Sequence, residues 1–153
     1  MRIPAGHGSA EYNPAVDEAA VLERLAQIPL FSKLDPPALE MVAAIVVPFS
    51  TEAGHVLIQP GMVGAGLFLI EEGSVTLSVH NHDLELGPGE MVGELAILDD
   101  RAMHTTRVKT TSPVSGYCIS RDAFDDLLAA QPIIAVPMLR VLARRLVDTV
   151  KHH

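Results

Sequence analysis

Short apolar runs separated by glycine fill the middle of the chain, and they limit what it can fold into. Four of these runs are HVLIQPG, GLFLIEEG, SVTLSVH and DLELGPG. Val75, Leu77 and Val79 alternate with polar residues, which is the period of a strand with one buried face and one solvated face. The segment TRVKTTSPVSGYCIS repeats this pattern around Val108 and Ile119. Evenly spaced short strands with turn residues between them predict a β-sandwich or a jelly-roll barrel.

Helical periodicity flanks this region on both sides. The stretch AVDEAAVLERLAQI has helical spacing, and Asp35 followed by Pro36 is typical of an N-cap and first position of a second helix. Ser120 is the expected N-cap of a third helix, SRDAFDDLLAAQ. The last helix carries an apolar stripe: Val136, Leu139, Leu142, Leu146 and Val150. The predicted fold is mainly β, a jelly-roll or double-stranded β-helix barrel with N-terminal and C-terminal helices.

Length and charge narrow the function classes. The 153 residues suit one domain, which we assign to 15–151 after a disordered leader at 1–14. Eleven Lys and Arg against nineteen Asp and Glu give a net charge of −8, which argues against broad nucleic-acid binding. The single cysteine, Cys118, cannot form an internal disulfide and is expected to be a buried small hydrophobe. No apolar stretch reaches the about 18 residues of a spanning helix, so we predict a cytoplasmic protein without membrane contact.

The segment GPGEMVGELAIL at 87–98 has two interpretations from its residues alone. It is either a tight loop between two strands that ends in a helical turn, or a phosphate cradle. The second interpretation rests on free backbone N–H groups, which attract anions at such a turn.

Three motifs in order resemble one known family. The first is IPLFSKLDPPALEMVA; the second is GHVLIQPGMVGAGLFLIEEGSVTL, with turn glycines at Gly54, Gly61, Gly64 and Gly73; the third is LELGPGEMVGELAIL. Together they resemble the cyclic nucleotide-binding domain of bacterial catabolite activators, protein kinase regulatory subunits and cyclic nucleotide-gated channels. The resemblance covers about residues 22–150.

This resemblance implies a ligand and a set of contacts. It implies a regulatory module that is not an enzyme, needs no cofactor or metal, and binds cAMP or cGMP. The backbone of Gly93, Glu94, Leu95 and Ala96 would meet the cyclic phosphate, and Gly93 would allow the close approach. The Glu94 carboxylate would accept a hydrogen bond from the ribose 2′-hydroxyl. The C-terminal helix would relay binding to an effector protein that the sequence does not identify.

The chain departs from the family pattern at one position. The family has an arginine after the glutamate that pairs with the phosphate; when Val108 is aligned with the family's strand valine, His104 takes this place. Thr105 then takes the place of the adjacent small hydroxyl residue. Arg101 and Arg107 are nearby in sequence but out of register. We therefore carry His104, Thr105, Arg101 and Arg107 as candidate ligand-binding residues, beside the four residues of the turn.

Other functions stay open or are disfavoured. The same fold without the arginine could act as a protein-interaction or dimerisation module that binds no nucleotide. The last helix could pair with its twin in a homodimer or pack on its own barrel. A metal-dependent cupin enzyme needs a cluster of ligands in the barrel, and His55 has no His-x-His partner. Reading DNA as catabolite activators do would need a helix-turn-helix after the last helix, and this sequence stops at His153.

Overall fold

The chain alternates a helical start, a run of strands and a helical end. The computed structural model describes residues 17–60, 66–94, 96–99 and 106–151, so the leader predicted at 1–14 lies outside the described residues. The helices are α1 (Glu18–Ala26), α2 (Pro36–Ala43), α3 (Arg121–Ala130) and α4 (Ala135–Lys151), with 3₁₀ turns at Pro29–Phe31 and Pro132–Ile134. The strands are β1 (Val47–Thr51), β2 (Val56–Ile58), β3 (Gly66–Glu72), β4 (Val75–Val79), β5 (His82–Leu86), β6 (Met91–Val92), β7 (Thr106–Thr110) and β8 (Val114–Ser120).

The strands form two four-stranded antiparallel sheets. One sheet has the order β1-β8-β3-β6 and the other has the order β2-β7-β4-β5. Strands that are distant in sequence, such as β1 and β8, are therefore neighbours, which is the arrangement of a jelly roll. The predicted fold class, a barrel between N-terminal and C-terminal helices, is confirmed.

The two sheets share one apolar core inside the barrel. Phe49 from one strand meets Phe68 from another with their ring centroids 5.3 Å apart, edge to face. Residues from both sheets complete this core: Leu57, Ile58, Ile70, Val75, Val92, Val108, Val114 and Cys118. Cys118 is 2% exposed, which confirms its prediction as a buried small hydrophobe.

A second apolar cluster joins the helices to the outer face of the first sheet. Leu67 and Leu69 of β3 belong to this outer cluster, whereas Phe68 and Ile70 of the same strand point into the barrel. Because β3 is covered on both faces, its sequence is a continuous apolar run rather than an alternating one. The helical side of the cluster includes Val21, Leu25, Ile28, Leu30, Phe31, Val42, Phe124, Ile134 and Met138.

Helix caps are as the sequence predicted. The Asp35 side chain accepts a hydrogen bond from the Ala38 amide at 2.9 Å, and the Ser120 hydroxyl accepts one from the Ala123 amide at 3.1 Å. These caps fix the start of α2 and the turn from β8 into α3.

The hairpin between β4 and β5 ends in an exposed two-residue turn. The turn consists of His80 and Asn81, with φ of 49° and 67°, and His82 already belongs to β5. Of the three alternating residues of β4, Val75 is buried and Leu77 is half-buried. Burial falls along the strand because β4 runs from the barrel core toward an exposed hairpin.

The apolar stripe of α4 faces away from the barrel. Met138 is buried against the outer cluster and Leu142 is half-buried, but Leu139, Leu146 and Val150 are 62%, 66% and 66% exposed. Packing on its own barrel therefore does not explain most of the stripe.

In the described part of the chain no single helix is long and apolar enough to span a membrane. Arg121–Ala130 and Pro132–Lys151 reach that length and composition only as a pair bent by 107°.

Candidate functional site

Gly93 directly follows β6, in a conformation that only glycine adopts easily. Its φ is +88°, and a Cβ added there would lie 2.1 Å from the carbonyl oxygen of Gly66 and 3.3 Å from Cδ1 of Ile58. The glycine was predicted to let a ligand approach. The structure gives it an additional reason, since the barrel itself needs this contact between the end of β6 and the start of β3.

The residues after Gly93 form a tight turn. The Ala96 amide donates to the Gly93 carbonyl at 3.0 Å, so this amide closes the turn. Ala96 and Ile97 are fully buried, which anchors the turn against the core. Leu95, the fourth predicted member of the turn, lies outside the described residues.

The carboxylate of Glu94 connects three parts of the fold. Its side chain is 14% exposed. Oε2 accepts a hydrogen bond from the Leu30 amide at 2.7 Å, and Nη2 of Arg145 donates to Oε1 at 2.9 Å and Oε2 at 3.0 Å. Leu30 belongs to the Pro29–Phe31 turn and Arg145 to α4, so one carboxylate holds the Gly93–Ala96 turn, the 3₁₀ segment and the last helix together.

The Leu30 amide shows why a carboxylate suits this place. Leu30 is buried, and Ile28, at the N-cap of its 3₁₀ turn, provides no capping side chain. Glu94 supplies that acceptor from a distant part of the sequence.

Counting its contacts with the described residues, one acceptor position of the carboxylate is still available. A carboxylate offers about four lone-pair positions. Two accept from Arg145 and one from Leu30, which leaves one on Oε1. Glu94 can thus accept a hydroxyl donor while its contacts to the helix and the 3₁₀ turn stay in place.

The other predicted site residues are distributed differently. Gly93, Glu94 and Ala96 share one turn. Arg107 lies on β7 between buried Thr106 and Val108, so its exposed side chain points out of the barrel. Arg101, His104 and Thr105 lie outside the described residues.

Arg145 and Leu30 are parts of this site that the sequence did not reveal. Arg145 is one of three arginines on the polar side of the last helix, a common feature of exposed helices. Leu30 contributes a backbone N–H, which no side-chain pattern reports. Both contacts span long stretches of sequence, 51 residues for Arg145 and 64 for Leu30.

Two concave regions of the surface have different relations to this site: the first shares Arg145 with it and the second does not. A groove of about 530 Å³ runs between the Pro29–Phe31 turn and α4, and its walls include Lys33, Arg140, Arg144 and Arg145. A larger open cavity of about 670 Å³ is lined by polar residues including Glu52, His55 and Glu72. No cluster of three or more metal-ligating side chains occurs among the residues that the structure describes.

A family model described as "Cyclic nucleotide-binding domain" matches residues 48–131, more than half of the chain. This range contains the barrel, the Gly93–Ala96 turn and Glu94. The chain belongs to the cyclic nucleotide-binding domain family. It is thus a cyclic nucleotide-binding domain of the regulatory kind, a class that is generally not catalytic.

Two curated relatives contain a region similar to this domain. "Acetyltransferase Pat" of Mycolicibacterium smegmatis is 38% identical over 109 residues, which are 68% of this chain and 32% of the relative. The "CRP-like cAMP-activated global transcriptional regulator" of Mycobacterium tuberculosis is 32% identical over 130 residues, which are 81% of this chain and 58% of the regulator. The domain therefore spans from a third to about three fifths of these proteins.

Solved structures similar to the domain include the N-terminal domain of a transcriptional regulator from Streptomyces coelicolor, with a TM-score of 0.68, 26% identity and coverage of 85% and 94% of the two chains. The regulatory domain of Toxoplasma gondii PKA with cAMP has a TM-score of 0.62 and 26% identity, and the match covers 75% of this chain and 46% of that one. The regulatory subunit of a cAMP-independent protein kinase A from Trypanosoma brucei has a TM-score of 0.59 and 26% identity, and the match covers 84% of this chain and 46% of that one. A triple variant of that subunit, described as bound to cAMP in the A site, has a TM-score of 0.60 and 27% identity, with the same coverage.

Proposed function

We propose that this domain binds a cyclic nucleotide, cAMP or cGMP, at the Gly93–Ala96 turn and relays binding through α4. The observation that carries the proposal is the carboxylate of Glu94. It is mostly buried, it hydrogen-bonds both Leu30 and Arg145, and its contacts within the described part of the chain leave one acceptor position. A ribose 2′-hydroxyl is the donor that this position would accept.

Relatives support a cyclic nucleotide as the ligand class. The Mycobacterium tuberculosis regulator is named as cAMP-activated, and the Toxoplasma gondii domain is described with cAMP. We propose no catalytic role and no cofactor for the domain, because regulatory domains of this family are generally not catalytic.

The relay follows from the contacts of Glu94. A ligand that hydrogen-bonds this carboxylate acts on the group that also holds α4 and the Pro29–Phe31 turn. Binding at the Gly93–Ala96 turn and docking of the helix are thus energetically coupled through one side chain. We propose that α4, with its exposed apolar stripe, passes this change to a second copy of the chain or to an effector protein.

A second candidate function is a protein-interaction or dimerisation module that binds no nucleotide. Two observations favour it: the exposed stripe on α4, and the similarity to a Trypanosoma brucei subunit that is described as cAMP-independent. The cAMP-bound variant of that subunit includes a threonine-to-arginine change among its three substitutions. We propose that, in this chain, the two functions differ in whether a cation pairs with the phosphate of a nucleotide.

Calorimetric titration separates the two functions. We expect cAMP or cGMP to bind the purified domain, and we expect Glu94→Gln to weaken binding. Hydrogen bonds to charged groups are worth about 1.5–3 kcal/mol, so the loss should be roughly ten- to hundredfold. Glu23→Gln is the matched control, because Glu23 is an exposed carboxylate on α1. Absence of binding to the wild-type domain at millimolar nucleotide would contradict the sensor and favour the interaction module.

A further inference from the structure

We infer that Arg145 of α4 supplies the positive charge that faces the ligand's phosphate. The inference rests on the proposed function and names a phosphate-binding residue outside the Gly93–Ala96 turn. It begins with an electrostatic problem. A cyclic nucleotide brings a negative phosphate next to the carboxylate of Glu94, in a chain whose net charge is −8.

A cation must offset this repulsion, and the contacts of the arginines in the described residues indicate which one is placed to do so. Arg107 points away from the barrel on β7. Arg24 pairs with Glu71 at 2.8 Å and donates to the Gly89 carbonyl at 3.0 Å. Arg145, in contrast, contacts the carboxylate of Glu94 itself.

The chemistry of the ligand places its phosphate beside this arginine. In a 3′,5′-cyclic nucleotide, the 2′-hydroxyl and the 3′ ester oxygen are on adjacent ribose carbons. If the hydroxyl binds Oε1 of Glu94, the phosphate is next to the group that already binds Oε1, which is Nη2 of Arg145. The arginine is therefore in the neighbourhood of both ligand groups.

The guanidinium of Arg145 also has N–H donors that do not contact Glu94. An arginine has five N–H groups, and Nη2 contributes the contacts to Glu94. Among the residues that the structure describes, no hydrogen bond from Nε or Nη1 of Arg145 is found. These donors match phosphate oxygens in geometry and charge. One guanidinium can thus bind Glu94 and the phosphate together, and it would join the ligand directly to α4.

Calorimetry with two ligands tests this role. Adenosine shares the base and the ribose 2′-hydroxyl of cAMP but has no phosphate. We expect Arg145→Ala to weaken cAMP binding by about thirtyfold or more, as expected for loss of one partner of a charge pair. Adenosine binding should change by less than about threefold. Arg145→Lys should recover part of the lost cAMP affinity, because the charge remains.

Arg144→Ala is the matched control, since Arg144 is an exposed arginine on the same helix. It should leave both affinities unchanged, and thermal unfolding should show that both alanine variants are folded. Equal losses for cAMP and adenosine would overturn the inference, because Arg145 would then act only by positioning Glu94. Tighter cAMP binding by Arg145→Ala would also overturn it, because the arginine would then be a competitor for the carboxylate. If the wild-type domain binds no cAMP, the proposed function fails and the inference fails with it, a result distinct from unchanged binding by the variant.

Discussion

At the scale of single residues, Gly93 is a glycine that the fold itself requires, whether or not a ligand binds. A side chain there would be strained by the positive φ and would also collide with the Gly66 carbonyl. Gly89 has the same φ of +88°, but no other atom lies within 4 Å of the position that a Cβ would take there. The two glycines therefore differ in the space around them and not in their backbone conformation.

We expect Gly93→Ala to lower the free energy of unfolding by about 3 kcal/mol or more, and Gly89→Ala by about 1 kcal/mol. Urea denaturation of both variants measures the difference. Equal losses would mean that the close approach to Gly66 contributes nothing beyond the backbone strain.

Cys118 has a consequence for the dependence of stability on pH. Burial raises the pKa of its thiol from 9.0 to about 12. Below the pKa of the thiol in the unfolded chain, Cys118 is protonated in both the folded and the unfolded state. Its contribution to the free energy of unfolding is then fully present. As the pH rises toward 12 the unfolded thiol ionises first, and stability is lost.

Between pH 8 and pH 10 we expect wild-type stability to fall by about 1 kcal/mol more than that of Cys118→Ala, which lacks the thiol. Urea denaturation at both pH values tests this. Identical losses for the two proteins would contradict the burial of an ionisable thiol. Native Cys118 should also resist thiol reagents at pH 8, at which the unfolded chain reacts.

At the scale of elements, the sequence predicted what local periodicity encodes. The strands around Val75 and Val108 follow from alternation, and the starts of α2 and α3 follow from Asp35 and Ser120. Each of these patterns reflects the burial and hydrogen bonding of a single segment of the chain. The partner of Glu94 could not be predicted in this way, since Arg145 is brought to it by the fold from 51 residues away.

The exposed face of α4 is the surface that we propose as the contact with a second copy of the chain or with an effector protein. Leu146 is 66% exposed, and so is Val150, one turn further along the same face. If this face pairs with a second copy, a charge there should prevent association without unfolding the monomer.

We expect Leu146→Glu to shift the domain to monomer in sedimentation velocity, while the thermal unfolding midpoint of the monomer stays unchanged. Leu84→Glu is the control, because Leu84 is also exposed, at 58%, but lies on β5. A dimer that survives Leu146→Glu would contradict pairing through α4. A monomeric wild-type domain would instead favour an effector protein as the partner of the apolar stripe.

At the scale of the whole molecule, we propose that one site and one helix act as a coupled unit. The turn after β6, the Pro29–Phe31 segment and α4 meet at the carboxylate of Glu94. Ligand binding that adds a contact to this carboxylate should stabilise all three parts together. Coupling of this kind needs no large movement, only a difference in how firmly the helix is held.

Hydrogen–deuterium exchange with and without saturating cAMP tests this coupling most directly. We expect slower exchange in the Pro29–Phe31 segment and in the part of α4 around Arg145, while exchange in β4 and β5 stays the same. In Glu94→Gln the added protection of α4 should be smaller than in the wild type, even at nucleotide concentrations that saturate the variant, because the contact through the carboxylate is weakened. Unchanged exchange of α4 in the wild-type domain with bound cAMP would contradict the coupling.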